Sequence, residues 1–508
     1  MTENPKTPTA DGRGFSLRLG CWLDSLAQAV VPMASSGAVT VSAYLLIAGP
    51  IMIGILALTP PMQVPDAFVQ FDRAAGIAHG QLVGEVFHGS AGGQLPVGVG
   101  RFDNYFEAIP FHPGRKVSFG SMAGAANVDW GQRAQFVPFP ATTEYAPPLY
   151  LPGALVVWLA GLLSSKVVVA YYAVSLVNGL AFLALMSVSM SLLRSAYRWL
   201  VFAVGILPMS LSLAASPSTD GYVIGLSCIL VAIVYRQIHQ HPEADRVAAG
   251  SGSVPPGWSL WPPSLAELLA VLALLLICFA KPPYLVLAMG LAVPDMVGRR
   301  YRDAIARTGS RAVAVAIPVG AWYMLGARLQ GIKAVELGGV SAGRQLAFSL
   351  HHPGVVVSAV ATTLSGDAAS YLHGFVGNLG WLDAPLATGV ADVLLVGLTL
   401  VVCLLILASR LSGPVVGWSA ACAALGVAGV IFAIYIESTP VGNSAVLGLQ
   451  GRYFLPLVPL AILATIPERD SAPLRSYVTL GAGLLALAMG LVGWGGTVAD
   501  LLYRYWVR

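Results

Sequence analysis

The sequence predicts an all-α protein, a polytopic transmembrane helix bundle of about 11–13 helices with short helices in a long first extracytoplasmic loop. Two observations predict it. Hydrophobic residues make up 56% of the 508-residue chain and charged residues only 10%, with a mean hydropathy of +0.74. A soluble chain carries about 25% charged residues, so the charge here is too sparse to cover a water-facing surface of this size. The second observation is that apolar runs of about 20 residues, the length that crosses a bilayer, recur from one end of the chain to the other.

The runs lie at 38–58, 167–193, 198–215, 221–237, 263–280, 284–297, 311–327, 386–409, 414–436, 453–467 and 476–497. Two further pieces, 149–163 and 353–365, are short and suit re-entrant or interfacial helices. The first run starts too late for a cleavable signal peptide and reads as a signal anchor. Before it, Phe15 to Val31 reads either as an amphipathic surface helix or as a disordered tail. Lys and Arg bias sets the orientation. With Lys6, Arg13 and Arg18 in the cytoplasm and 149–163 kept on the outer face, Arg194, Arg198, Arg236, Arg246, Arg410, Arg469 and Arg475 also fall inside. So does the densest basic group, Arg299, Arg300, Arg302 and Arg307.

This divides the chain into a cytoplasmic segment 1–37, a single transmembrane domain 38–497 with outer loops 59–166 and 329–385, and a C-terminal tail 498–508. Residues 239–262, rich in Gly, Ser and Pro, read as a flexible cytoplasmic linker. No internal repeat of the inverted-repeat kind is evident. The net charge of +4 is small, and no basic stripe with interleaved aromatics supports nucleic-acid binding. Cys21, Cys228, Cys278, Cys403 and Cys422 form no CxxC pair. They read as buried, inert thiols rather than as a disulfide framework or a zinc site.

Chemistry-bearing residues cluster where runs meet the outer face. Pro60, Pro61 and Pro65 break the first helix and leave Asp66 at the N-cap position of a new helix through 67–78. Asp66, Gln70 and Arg73, spaced i, i+4 and i+7, share a face of it. A carboxylate beside an arginine suits acid–base work and anion binding; on spacing alone, a capping Asp with a surface ion pair is the leading reading. Tyr145 and Tyr150 flank Pro147 and Pro148, as interfacial anchors or pocket walls. Asp220, after Ser216-Pro217-Ser218-Thr219, reads as a helix N-cap or a functional acid, with the cap ahead. Lys281 ends a helix on the side where few basic residues are expected, which points to an anion such as phosphate. Arg452 begins a helix, where the dipole disfavours a cation; this points to an anionic ligand, against a snorkelling arginine. His79, His88 and His112 lack metal-ligand spacing, and the adjacent His351 and His352 do not converge on one metal.

These motifs, in this order, resemble a bacterial family of predicted membrane proteins, DUF2142, itself similar in architecture to the C-superfamily of glycosyltransferases. The family's first-loop pattern, Pro-Pro-x-x-x-Pro-Asp-Glu-Pro-x-His-x-x-Arg, is matched by Pro60, Pro61, Pro65, Asp66 and Arg73. Ala67, Phe68 and Gln70 replace its Glu, Pro and His. Tyr145–Pro152, Ser216 with Asp220, Lys281-Pro282, Gly377–Asp383 with Trp381, and Gln450–Pro456 with Arg452 and Tyr453 match further motifs, so the resemblance spans about 59–460.

It implies transfer of a sugar from a polyprenyl-phosphate carrier to a cell-envelope glycan or protein at the outer face of a bacterial inner membrane. Asp66 is then the general base. Lys281 and Arg452, with Arg73 behind them, face the leaving phosphate. Tyr145, Tyr150 and Trp381 line a sugar pocket, and Gln70, Asp220 and Tyr453 contact substrate. A divalent metal is compatible but not demanded. A lipid or polysaccharide flippase and a non-catalytic envelope-assembly protein are the alternatives. Glu267 and Asp392, the clearest acids inside apolar runs, lie near helix starts, which counts against proton-coupled transport.

Overall fold

A computed structural model describes residues 34–240, 264–336, 340–407, 409–467 and 472–507. The expectations for most of the N-terminal segment, Cys21 and the linker fall outside these residues. Among the described residues, seven helices are long and apolar enough to cross a membrane, or eight if one bent pair is a single span. The chain is an α-helical bundle of the predicted class.

The first span, α1 (Gly37–Leu58), starts where the Ser36 hydroxyl accepts from the Val39 N–H, satisfying one of the free amides of a first turn. After Pro60 and Pro61 comes α2 (Ala67–Ala78). A short apolar helix, α3 (Leu151–Leu162), leads to α4 (Val167–Leu192), which packs on α1. The run 198–215 is two helices, α5 (Ala196–Gly205) and α6 (Pro208–Ala214), bent by 64°. Pro208 lacks an N–H and crowds the preceding turn, so the helix restarts there. Then come α7 (Asp220–Gln240) and α8 (Leu265–Ala280).

Two expected spans are irregular. Residues Pro282–Ala292 form 3-10 turns behind Pro282 and Pro283, and Gly451–Leu457 forms another around Pro456. These proline-rich pieces are among the short apolar helices that fall below spanning length. The run 311–327 lies within a longer helix, α9 (Tyr301–Glu336). The piece expected to be short at 353–365 belongs to α10 (Pro353–Gly377), which has spanning length. Yet one connecting segment, 439–451, follows it: Thr363 Oγ1 accepts from Val446 N at 2.7 Å, and Ala359 shares a small core with Val446 and Leu449. The remaining spans are α11 (Thr388–Leu407), α12 (Gly413–Ser438) and α13 (Ala472–Tyr505).

The first loop holds more than helices. Strands β1 (Glu85–Phe87), β2 (Ser90–Pro96) and β3 (Ala134–Pro138) form an antiparallel sheet in the order β1-β2-β3. Glycine-rich β2 has no apolar alternation, so nothing in the sequence marked it; Gly92 is needed because a Cβ there would strike the Val137 carbonyl.

The expected tail 498–508 is not separate from the bundle over its described residues, because α13 continues through Tyr505. Arg504 bonds the Asp383 carboxylate at 2.6 Å and the carbonyls of Ile109 and Arg115. Tyr505 is fully buried and donates to the Gln63 carbonyl. At the far end of the bundle Glu267, in the first turn of α8, meets Arg307 at 2.7 Å and Arg311 at 2.9 Å, while Asp295 meets Arg307 at 2.6 Å and Arg300 at 2.8 Å. Glu267 thus belongs to an ionic staple between α8 and α9. Cys228, Cys278 and Cys422 are buried free thiols, but Cys403 is exposed, on the outside of α11.

Candidate functional site

The segment 60–66 is pinned from several directions before it delivers Asp66. Tyr171 bonds Met62 N at 3.0 Å, Trp381 Nε1 bonds Met62 O at 2.8 Å, and Gln63 reaches the Phe106 carbonyl. Asp66 sits at φ +64°, left-handed backbone unusual for a residue with a side chain. Such a conformation survives where its surroundings over-determine it. It occupies the N-cap position of α2, but its side chain caps nothing. Instead Asp66 Oδ2 accepts from Arg452 Nη2 at 2.8 Å.

Arg452 arrives beneath Asp66 because Gly451 lets two backbones touch. A Cβ on Gly451 would collide with the Tyr371 carbonyl and the backbone of Gly374 and Phe375 in α10. The Arg452 side chain is 2% exposed. Its Nε donates to Gln450 Oε1, and its Nη1 lies 3.4 Å from Asp220 Oδ2. Asp220 also faces Lys281, at 3.5 Å. The N-cap reading of Asp220 gives way here: the Ser216 and Ser218 hydroxyls accept the turn's free amides, which releases the Asp220 carboxylate to the two cations.

Two carboxylates and two cations therefore meet from four distant segments, and their charges balance. Lys281 is the more accessible cation. Its Nζ lies 5.7 Å from the ring centre of Tyr145 and 5.6 Å from that of Tyr453, within cation–π range. Burial works against its charge, but the Asp220 carboxylate, with Tyr453 beside it, outweighs that and holds the Lys281 pKa above the usual lysine value.

Above this cluster is a cavity of about 240 Å³, lined by Asp66, Gln70, Tyr145, Lys281 and Tyr453 and closed on another side by α12. The structure thus gathers five of the expected site residues at one cavity, with Asp220 and Arg452 directly behind. The other three stand elsewhere. Arg73 is fully buried, and its guanidinium is spent on carbonyls: Tyr145 at 2.7 Å, Gln81 at 3.1 Å and Leu82 at 2.6 Å. It clamps the loop, and burial lowers its pKa to about 10. Tyr150, also buried, donates to Gln70 Oε1 at 2.6 Å and so orients that amide. Trp381 stacks near Phe68 and Phe111 and braces the 60–66 segment. The shared face of α2 is therefore divided: Asp66 and Gln70 look into the cavity and Arg73 into the loop.

Three contributors were not singled out in the sequence. Glu437 and Tyr323 line the cavity, and Tyr284 donates to the Tyr453 carbonyl at 2.6 Å. Glu437, an acid closing an apolar run on the same connection as Arg452, was the legible signal. His79 and His112 bond nearby carbonyls of their own segments. Among the described residues, no group of three or more His, Cys, Asp and Glu side chains is placed to hold a metal ion.

Fold and site together define a polytopic α-helical membrane protein whose connecting segments assemble a charged, tyrosine-walled cavity at one end of the bundle. The chain belongs to the predicted membrane protein family DUF2142, whose model matches residues 50–461. No curated protein and no solved structure gives a significant match.

Proposed function

We propose that the protein is a glycosyltransferase that takes a sugar from a polyprenyl-phosphate carrier and places it on a cell-envelope acceptor outside the cytoplasm. The observation that carries this reading is the contact of Asp66 with Arg452 at the mouth of a cavity that also holds Lys281. A carboxylate with one oxygen anchored keeps the other for an acceptor hydroxyl, and a cation alongside suits a phosphate leaving group. The architectural similarity expected between this family and the C-superfamily of glycosyltransferases suits the same chemistry.

In this mechanism the acceptor hydroxyl gives its proton to Asp66 Oδ1 as its oxygen attacks the anomeric carbon. The bond from that carbon to the phosphate oxygen breaks, and the electron pair leaves with the polyprenyl phosphate. Lys281 meets the growing negative charge; it is the more accessible of the two cations, its side chain 22% exposed against 2% for Arg452. Arg452, with its donors already committed, positions Asp66 and is not spent on the phosphate. Ala67, where the family pattern has Glu, is fully buried, so that position adds no second acid beside Asp66.

The test is sugar transfer in reconstituted liposomes, with radiolabelled polyprenyl-phosphate sugars and a cell-envelope acceptor. Wild type transfers label, and Asp66→Asn, still folded, does not. Absence of donor binding, or equal activity in Asp66→Asn, rejects the reading and favours a flippase or an assembly protein.

A further inference from the structure

The cavity has a second carboxylate, which the transfer mechanism does not use. Val430, Ala433, Ile434 and Glu437 line it from one face of α12, at the i, i+3, i+4 and i+7 spacing that makes a single helical wall. Three of these are apolar and the fourth is charged. Glu437 is exposed as well as lining the cavity, and it stands in the last turn of α12, where the helix dipole disfavours a negative side chain. Lys281 lines the same cavity yet pairs with Asp220. Glu437 is close enough to Tyr145 that, after burial, it is the main charge raising that hydroxyl's pKa, so Tyr145 stays a neutral donor.

The remaining walls have a consistent chemistry. Tyr145, Tyr323 and Tyr453 line the cavity with aromatic side chains, and Gln70 and Asp66 with polar ones. A sugar ring presents that combination in reverse: C–H faces that stack on aromatics and hydroxyls that donate to carboxylates. A volume of about 240 Å³ is below the roughly 300–1,000 Å³ of drug-sized pockets and suits one ring rather than a chain. Asp66 pairs with Arg452 and Lys281 with Asp220, so Glu437 adds the net charge of the site and disfavours an acidic sugar by like-charge repulsion.

We propose that Glu437 is a specificity-determining residue that accepts hydrogen bonds from the hydroxyls of a single neutral sugar unit, so that the carried sugar is an uncharged monosaccharide and not a uronic acid. This rests on the lipid-linked donor reading above and names the substrate class of the same cavity. Glu437 and Asp66 then divide the work. Glu437 holds the sugar from the α12 wall, and Asp66 takes the acceptor proton.

The experiment measures binding to the full-length protein in nanodiscs. The probes are polyprenyl phosphate, the same lipid carrying a neutral hexose, and the same lipid carrying a uronic acid. Thermal stabilisation by free neutral monosaccharides is read in parallel. Wild type is expected to prefer the neutral hexose lipid. Glu437→Gln, with an unchanged melting temperature, loses about tenfold or more in affinity for that lipid and binds bare polyprenyl phosphate as before. Glu437→Asp keeps the neutral preference with weaker binding, and Glu437→Lys reverses it toward the uronic acid. A Glu437→Gln loss that is equal for sugar-bearing and bare lipid, no loss at all, or a wild-type preference for the uronic acid overturns the proposal. If no lipid binds but free neutral sugars still stabilise wild type and not Glu437→Gln, the donor reading fails and the sugar site stands. If neither lipid nor sugar shows a Glu437-dependent effect, the sugar site fails too.

Discussion

Asp66 and Arg452 are 386 positions apart in the chain and 2.8 Å apart in the structure. Arg452 is almost wholly buried and Asp66 nearly half exposed, with side chains 2% and 42% accessible. The arginine is therefore the anchored partner and the carboxylate the accessible one. Removing the anchor leaves Asp66 unheld and Asp220 with a single cation. Breaking a buried ionic contact from one side costs about 3–5 kcal/mol, and partial exposure of Asp66 puts Arg452→Met toward the lower end. Its melting temperature in detergent should fall, and Asp220→Asn in the same protein should recover part of the fall without restoring transfer.

Asp66→Asn separates chemistry from folding. Asn is among the few residues that tolerate left-handed backbone, and Arg452 keeps its contact with Asp220, so the variant should stay folded and lose less melting temperature than Arg452→Met. Losing the base should slow transfer by about 10²–10⁴-fold, measured at saturating donor, with donor affinity little changed.

Gly451→Ala tests the close crossing of the 451–457 turns against α10. The added methyl meets backbone atoms of Tyr371, Gly374 and Phe375, which have no rotamer to move aside. Overpacking of this kind costs about 1–3 kcal/mol. Transfer should fall more than stability does, because the shift moves Arg452 and with it Asp66. Activity equal to wild type would show that the crossing is not what places the arginine.

Arg73→Lys keeps the charge and loses the fork that reaches the Tyr145, Gln81 and Leu82 carbonyls together. An ammonium satisfies fewer of these buried acceptors, and each one left unpaired costs about 1–3 kcal/mol. Limited proteolysis should show faster cleavage near residues 81–87, and donor affinity should drop as Tyr145 loses its support.

The first loop should also respond to pH. The Asp72 carboxyl is buried, its Oδ1 has no hydrogen-bond partner among the described residues, and burial, then Asp103, raise its pKa well above the usual carboxylate value. A folded-state pKa above the unfolded one contributes stability below the unfolded pKa that is lost as pH rises through the folded pKa. Wild type should therefore melt at lower temperature as pH rises above the usual carboxylate range, and Asp72→Asn, which mimics the protonated form, should flatten that dependence. A wild-type melting temperature that rises with pH over this window would contradict it.

Composition and periodicity alone establish the class of the protein, and local motifs point to most residues of its candidate site. Sparse charge and repeated apolar runs suffice for a membrane bundle, because the bilayer's thickness sets a helix length that composition reveals. Lys281 and Arg452 were legible because each is a cation where local rules expect none; Asp66, which a helix cap would explain, stood out through the proline motif before it. The tertiary structure decided the rest. Gln70 and Arg73 share a helix face by spacing, but only packing sends one to the cavity and the other to three loop carbonyls. Asp220 had a plausible cap until Ser216 and Ser218 were seen to do that work. The sheet of the first loop, the buried end of α13 and the wall that Glu437 completes all depend on partners far away in the chain. Local periodicity and turn chemistry register a residue's neighbours in sequence; a site built from 66, 220, 281, 437 and 452 exists only once packing has brought those segments to one end of the bundle.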